Sequence, residues 1–258
     1  MTASFTSHGE GPAIMFLHGV GSGKDGFQHQ IQPVVSNGWR FISIDAPGFG
    51  DTPPPNKPGF QPHIDVVLGV MDELNIKSAI LCGHSLGGMA AQEVVACAPD
   101  RVMGLILSAT SPAFGRPDGD FQKRFLQDRF APFDQGMTMP EFAQAFAPKL
   151  VGPDPVSGAI EDIISVMKSV PVETYRCAMR TITTFDRRNN LPKIEVPTLL
   201  IAGEMDTNSP AAMMRKMASK IANANFIELP QTGHMAPIEN PDGFNQHMVQ
   251  FIKRVLLS

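Results

Sequence analysis

The chain has 258 residues, of which 43% are hydrophobic and 18% are charged, and its formal net charge is -4 at pH 7. This length is enough for one large domain but not for two, and the composition is too apolar for intrinsic disorder. The weak negative charge provides no basic surface for nucleic acid or an anionic membrane, so we expect a small neutral or apolar partner.

Three cysteines, Cys82, Cys97 and Cys177, are widely spaced along the chain. Their odd number and spacing match neither a disulfide framework nor a CxxC zinc motif, so we expect reduced thiols, a cytoplasmic setting and no metal. The first ten residues lack the apolar block of a signal peptide, and no apolar run approaches the length of a membrane span. None of these features predicts an oligomeric state.

Short apolar runs alternate with helical stretches along most of the chain. The predicted strands cover residues 13–17, 40–44, 78–82, 103–108, 198–202 and 225–229. The predicted helices cover residues 25–35, 62–74, 86–98, 210–221 and 241–256. This alternation is typical of an α/β fold with a mostly parallel central sheet, flanked by helices that bury its strands on both faces.

A glycine-rich turn, residues 17–23, leaves the first predicted strand. Such a turn can cradle a phosphate, but this one contains no GxGxxG, and its order of glycine and lysine does not match a P-loop. We therefore expect no nucleotide and no other cofactor.

The third predicted strand leads into a G-x-S-x-G pentad that runs from Gly83 to Gly87, with Ser85 at its centre. A helix-compatible stretch follows, which is the context of a nucleophile elbow. In such an elbow the chain turns from strand to helix so sharply that only glycine leaves room beside the serine. Chance matches to the pentad are common, so its significance depends on partner residues elsewhere.

Between residues 112 and 193, prolines, glycines, phenylalanines and methionines are crowded, and apolar residues recur at helical spacing. We predict that residues 112–193 form a helical cap, or lid, inserted into a core domain of residues 1–111 and 194–258. It would cover the strand C-terminal ends, where ligands bind in open α/β sheets. Its phenylalanines can either line an apolar pocket or only hold the cap on the core: Phe121, Phe125, Phe130, Phe133, Phe142 and Phe146.

Two candidate catalytic partners follow later strands. Asp206 comes after residues 198–202, and His234 comes after residues 225–229. A serine hydroxyl is a poor nucleophile at neutral pH, so it requires a base, and the base requires an orienting group. Because parallel strands end at one edge of the sheet, Ser85, Asp206 and His234 can converge there.

Each partner also has a structural alternative. His234 can be a loop histidine that caps a carbonyl, and Asp206 can be the N-cap of the helix that follows it. The neighbouring residues 207–209 can serve as that cap instead, and Glu204 is a second candidate for the acid. We assign the base to His234 and the acid to Asp206.

The tetrahedral intermediate of acyl transfer requires two backbone N–H donors, which form an oxyanion hole. One donor comes from the residue after the nucleophile, which is Leu86. The other comes from the loop after an early strand, and in the glycine-rich turn the candidate is Val20.

With these motifs in this order, the chain resembles the α/β-hydrolase superfamily over nearly its whole length. Four segments resemble the 3-oxoadipate enol-lactonase-like and small esterase groups in particular: residues 83–89, 185–188, 196–198, and 233–234 with 239–241. The resemblance implies a cofactor-free serine hydrolase that cleaves a carboxylic ester or lactone of a small apolar or moderately polar compound. The same fold and triad also fit a carbon-carbon bond hydrolase of ring-cleavage products, and the fold fits a non-catalytic small-molecule receptor.

Two features bear on this resemblance. The sequence before Ala13 is short, so one or both opening strands of the family's sheet are expected to be missing or abbreviated. An enol-lactonase that acts on a dicarboxylate requires a cation in its pocket. Arg116, Arg176 and Arg180 are the candidates.

Overall fold

The computed structural model describes residues 3–115 and 119–257. A seven-stranded sheet occupies the centre of this part of the chain. Its strands are β1 (Phe5–His8), β2 (Ala13–Leu17), β3 (Arg40–Ile44), β4 (Ala79–His84), β5 (Val102–Ser108), β6 (Thr198–Gly203) and β7 (Ala224–Leu229). They lie in the order β1-β3-β2-β4-β5-β6-β7, and every neighbouring pair is parallel except β1 with β3. The predicted α/β fold with a mostly parallel sheet is confirmed.

The interior strands coincide with the short apolar runs of the sequence. Every residue of β2, β4 and β6 is buried, as expected for strands that are covered on both faces. β4 continues through His84 rather than ending at Cys82. The sequence does not predict β1, a short, mostly half-buried edge strand, so one opening strand of the family's sheet is present in abbreviated form.

Helices lie between the strands. In chain order they are α1 (Gln28–Val35), α2 (Gln61–Glu73), α3 (Leu86–Cys97), α4 (Asp120–Asp134), α5 (Met139–Phe146), α6 (Ala159–Met167), α7 (Val172–Ile182), α8 (Ala211–Ala218), α9 (Ala236–Glu239) and α10 (Pro241–Leu257). The helix predicted over residues 25–35 is divided into a 3₁₀ turn, Lys24–Phe27, and α1. In residues 3–115 and 119–257, no helix is both long enough and apolar enough to cross a membrane.

Two hydrophobic cores cover the two faces of the sheet, because successive side chains of a strand point to opposite faces. Met15 and Leu81 belong to one core, together with residues of α2, α3 and α8. Ile14 and Ile80 belong to the other core, together with residues of α1 and α10. Packing on both faces fixes the strands, so that the loops at their C-terminal ends meet at one edge.

Residues 112–193 connect β5 to β6 and contain α4, α5, α6 and α7. The two ends of this segment lie against each other: Ala113 and Asp186 form an antiparallel bridge. The Phe114 N–H donates to the Phe185 carbonyl at 2.9 Å, and the Arg187 N–H donates to the Pro112 carbonyl at 2.8 Å. The segment is therefore tied together where it leaves and rejoins the sheet.

Candidate active site

Ser85 lies at the turn between β4 and α3. Its backbone has φ 53° and ψ -115°, a positive φ that is strained for a residue other than glycine. The Ser85 N–H donates to the Ser108 carbonyl at 2.9 Å, and the Thr110 hydroxyl donates to the Ser85 carbonyl at 2.7 Å. Hydrogen bonds to the end of β5 and the residues after it thus hold Ser85 in the geometry of a nucleophile elbow.

The glycines on either side of Ser85 are required by close backbone contacts. A Cβ atom on Gly83 would collide with the backbone of Gly87, and a Cβ atom on Gly87 would collide with the carbonyl group of Leu17. The elbow therefore packs directly on the end of β2, which is the strand that leads into the glycine-rich turn.

His234 and Asp206 form a buried hydrogen-bonded pair. His234 Nδ1 lies 2.8 Å from Asp206 Oδ2. The other carboxylate oxygen accepts the backbone N–H groups of Asn208 at 2.8 Å and Ser209 at 3.0 Å. Burial alone would raise the pKa of Asp206, but the His234 charge and these hydrogen bonds hold it below its ordinary value. An ionised Asp206 accepts a hydrogen bond from the His234 Nδ1–H, which fixes the imidazole tautomer.

Glu204, the competing acid, has a different role. Its carboxylate accepts the Gln231 N–H at 2.9 Å, whereas the carboxylate that bonds His234 is that of Asp206. The alternative role of Asp206 as a helix N-cap is not observed, because the N-cap of α8 is Pro210 and no side chain caps it. One carboxylate oxygen of Asp206 bonds His234, and the other accepts two N–H groups of the turn before α8.

The loop that carries His234 is held by contacts that the sequence does not reveal. The His234 N–H donates to the Leu150 carbonyl at 2.6 Å. The buried Glu239 carboxylate accepts N–H groups from Gly152 at 2.7 Å, Gly233 at 2.9 Å and Met235 at 2.9 Å. Burial raises the pKa of Glu239, and these N–H bonds oppose the rise. Glu239 lies in one of the segments that resemble the enol-lactonase-like and small esterase groups. The sequence does not show, however, that its carboxylate joins residues 150–152 to the histidine loop.

The two candidate oxyanion donors flank Ser85. Leu86 is the first residue of α3, so its N–H has no acceptor within the helix. Val20 lines the same cavity as Ser85, and a Cβ atom on the adjacent Gly19 would lie 3.2 Å from the Ser85 Cβ. Both predicted donors are thus on segments that contact the serine.

His18 braces the glycine-rich turn. Its Nε2 accepts the Ala46 N–H at 2.9 Å, and its Nδ1 bonds the Gly19 carbonyl at 2.8 Å. Because Nε2 must accept, the ring is neutral and Nδ1 carries the proton. Burial lowers the pKa of His18, which is consistent with a structural role rather than proton transfer.

Ser85 and His234 open onto one cavity of about 860 Å³, a volume that includes solvent space at its mouth. Residues 112–193 supply much of its apolar wall: Phe114, Phe125, Phe146, Leu150, Met167, Tyr175, Met179 and Ile182. Of the six phenylalanines considered from sequence, Phe125 and Phe146 line the cavity. Phe133 and Phe142 pack on each other and on Tyr175, and Phe121 is exposed.

An arginine that was not a candidate from sequence lies in the cavity wall. Arg116 lies outside the described residues. Arg176 forms an ion pair with Asp134 at 2.6 Å, and Arg180 lies over the ring of Phe130, and neither lines the cavity. Arg129, on α4, lines it instead.

Metal-binding residue types are not grouped in the part of the chain that the structure describes. There, no three His, Cys, Asp or Glu side chains lie together so that they could hold a metal ion. The cysteines Cys82, Cys97 and Cys177 are unpaired.

A family model described as alpha/beta hydrolase fold matches residues 12–241. Among solved structures, a thermophilic esterase from Thermogutta terrifontis, with malate bound, superposes with a TM-score of 0.88. It is 26% identical, and the match covers 98% of this chain and 93% of that chain. The enol-lactonase from Burkholderia xenovorans LB400 superposes with a TM-score of 0.85 at 27% identity, covering 97% of this chain and 96% of that chain.

A relative with a different named activity is also similar. The 2-hydroxy-6-oxononadienedioate/2-hydroxy-6-oxononatrienedioate hydrolase of Cupriavidus pinatubonensis is 25% identical over 248 residues. The match covers 93% of this chain and 86% of that protein.

Proposed function

The chain belongs to the α/β-hydrolase fold family, and from this premise we propose that it is a serine hydrolase. It cleaves a carboxylic ester or lactone through an acyl-enzyme intermediate, without a cofactor. The observation that carries the proposal is the buried His234–Asp206 pair beside the strained Ser85, at the wall of one cavity. The esterase and enol-lactonase neighbours support the same reaction class.

In this mechanism the Ser85 Oγ attacks the substrate carbonyl carbon, and His234 accepts the serine proton at Nε2. Nε2 is the nitrogen that does not bond Asp206. The carbonyl oxygen becomes an oxyanion, which the N–H groups of Val20 and Leu86 stabilise. When the tetrahedral intermediate collapses, His234 returns the proton to the leaving alcohol oxygen, and the acyl group remains on Ser85.

A water molecule then hydrolyses the acyl-enzyme. His234 accepts a proton from the water, the resulting hydroxide attacks the acyl carbon, and the proton is returned to Ser85 Oγ as the carboxylic acid leaves. In a lactone the alcohol and the acyl group belong to one molecule, so a single hydroxy acid is released. We propose that residues 112–193 act as a cap over this reaction and supply its substrate contacts.

The test is turnover of short-chain p-nitrophenyl esters and of a lactone panel by wild type and Ser85→Ala. We expect kcat to fall by about 10⁴- to 10⁶-fold, as for other triad deletions. Ser219→Ala, on the surface after α8, is the matched control and should retain wild-type activity. Unchanged activity of Ser85→Ala would contradict the mechanism.

The same protein samples distinguish two alternative functions from ester or lactone hydrolysis. A carbon-carbon bond hydrolase should cleave a vinylogous diketone faster than simple esters and lactones. A non-catalytic receptor should resist labelling of Ser85 by a fluorophosphonate while a small ligand raises its melting temperature.

A further inference from the structure

Arg129 is a cation in the wall of the Ser85 cavity without an anionic partner. Its guanidinium carbon lies 4.6 Å from the ring centroid of Phe146 and 5.4 Å from that of Phe125. One N–H group donates to Asn208 Oδ1 at 3.3 Å. Within residues 3–115 and 119–257, other arginines form ion pairs with carboxylates, but Arg129 forms none. Most of its five N–H donors thus remain available to a ligand.

Tyr175 provides a second polar group in the same wall. Tyr175 is only 1% exposed, and its hydroxyl has no hydrogen-bond partner of regular geometry within the described residues. Burial raises the pKa of Tyr175 to about 12, and the positive charge of Arg129 and a hydrogen bond with its side chain oppose the rise, so the two groups lie near each other. That contact falls outside regular hydrogen-bond geometry, so the buried hydroxyl can still bond a ligand atom.

The chemistry of these groups selects an anion of a particular shape. A guanidinium is a planar fork of donors that matches a carboxylate through two parallel hydrogen bonds. The rings of Phe125 and Phe146 pack against this guanidinium at the cavity wall. Aspartate and glutamate are absent from the cavity lining as far as the described residues form it, so no side chain there repels a carboxylate.

We propose that Arg129, together with the Tyr175 hydroxyl, binds a carboxylate of the substrate. The substrate is then an ester or lactone whose acyl part ends in a carboxylate, such as a half-ester of a dicarboxylic acid. This inference rests on the proposed function, because it places the scissile carbonyl at Ser85 and the carboxylate at Arg129. It makes Arg129 the residue that determines specificity.

The first experiment compares two p-nitrophenyl esters of matched length, the half-ester of adipic acid and the ester of hexanoic acid. The half-esters of succinic and glutaric acid extend the series and measure which chain length reaches Arg129 from Ser85. Wild type should show a higher kcat/KM for the best half-ester than for its uncharged counterpart. In Arg129→Met the ratio of the two kcat/KM values should fall by about 10- to 100-fold, the value of a charge-assisted contact.

The ratio does not depend on the fraction of folded enzyme, so a partly unstable variant remains informative. Arg129→Lys keeps the charge without the fork and should give an intermediate ratio. Tyr175→Phe should lower the ratio by a smaller factor, about 3- to 10-fold. Arg124→Met, an exposed position on the same helix, is the matched control and should keep the wild-type ratio. An equal loss for both esters in Arg129→Met would overturn the inference and leave Arg129 with only its contact to Asn208.

A second experiment separates this inference from the proposed function. Ser85→Ala is titrated calorimetrically with monomethyl adipate and with dimethyl adipate, which differ by one carboxylate. Tighter binding of the monomethyl ester, lost in the Ser85→Ala Arg129→Met double variant, supports the carboxylate site even if no ester is hydrolysed. Equal affinity for both compounds would overturn it, even if Ser85-dependent hydrolysis of neutral esters is found.

Discussion

Asp206 shows how one side chain can satisfy two demands. One carboxylate oxygen bonds His234, and the other accepts two backbone N–H groups of the turn that follows. The turn bonds restrict the carboxylate to one orientation, and that orientation in turn fixes the imidazole. The acid of the proposed triad is therefore preorganised by its own loop rather than by a separate residue.

We expect Asp206→Asn to lower kcat by about 10³- to 10⁴-fold. An amide can present an N–H to Nδ1 and so favour the wrong histidine tautomer, while the turn bonds of the other oxygen are kept. Steady-state ester hydrolysis measures the effect, and the near-isosteric Glu204→Gln is the matched control. A larger loss in Glu204→Gln would mean that Glu204 is the acid.

The sequence analysis predicts the three candidate triad residues but does not identify Arg129. Ser85, Asp206 and His234 follow the C-terminal ends of β4, β6 and β7, so the topology of a parallel sheet predicts that they share an edge. Arg129 lies in the middle of α4, and the direction in which it points depends on how α4 packs. No local spacing encodes that direction, so Arg129 was not a candidate from sequence, while the candidates Arg176 and Arg180 do not line the cavity.

At the scale of elements, an ion pair joins the end of the 112–193 segment to the helix that follows Ser85. Arg187 Nε donates to one oxygen of the buried Glu93 at 2.9 Å, and a terminal nitrogen donates to the other at 2.5 Å. Glu93 is on α3, so the last part of the segment is anchored to the same helix that begins at the nucleophile elbow.

We expect Arg187→Met to lower the free energy of unfolding by about 1–3 kcal/mol, because it leaves the buried Glu93 carboxylate without its donor. Urea denaturation measures the change, and the Arg187→Met Glu93→Leu double variant should recover part of it. The matched control is Arg188→Met, whose partner Asp186 is exposed, and it should unfold like wild type. Equal stability of all variants would contradict an anchoring role.

The sequence predicts best the strands whose two faces are both buried. Strands that are buried on both faces appear as continuous apolar runs, and β2, β3 and β6 were predicted within a residue of their observed bounds. β1 has mixed polar and apolar residues and pairs only with β3, so its existence depends on a partner distant in sequence.

At the scale of the whole molecule, burial of imidazole rings makes the fold sensitive to acid. Burial lowers the pKa of His63 to about 4, and a backbone hydrogen bond at Gly59 opposes this decrease. It lowers the pKa of His84 to about 3, assisted by the His234 charge. The ordinary value for an unfolded chain is about 6.5. Between these values the unfolded chain binds protons that the folded chain excludes.

Stability should therefore be complete above pH 6.5 and fall as the pH decreases toward about 4. Each such histidine contributes a slope of up to about 1.4 kcal/mol per pH unit. Urea denaturation at several pH values measures the slope, and His63→Leu should reduce it by about one such increment. His8→Gln, at an exposed position, is the control and should leave the slope unchanged. A wild-type slope in His63→Leu would contradict this assignment.

The contacts of residues 150–152 have a consequence for how substrate enters. The Leu150 carbonyl and the Gly152 N–H are bonded to the histidine loop, so the segment cannot lift away there without displacing His234. An opening motion that keeps these two bonds would leave His234, the proposed base, in place. Such a motion would have to displace another part of the segment, such as α4, which carries Arg129.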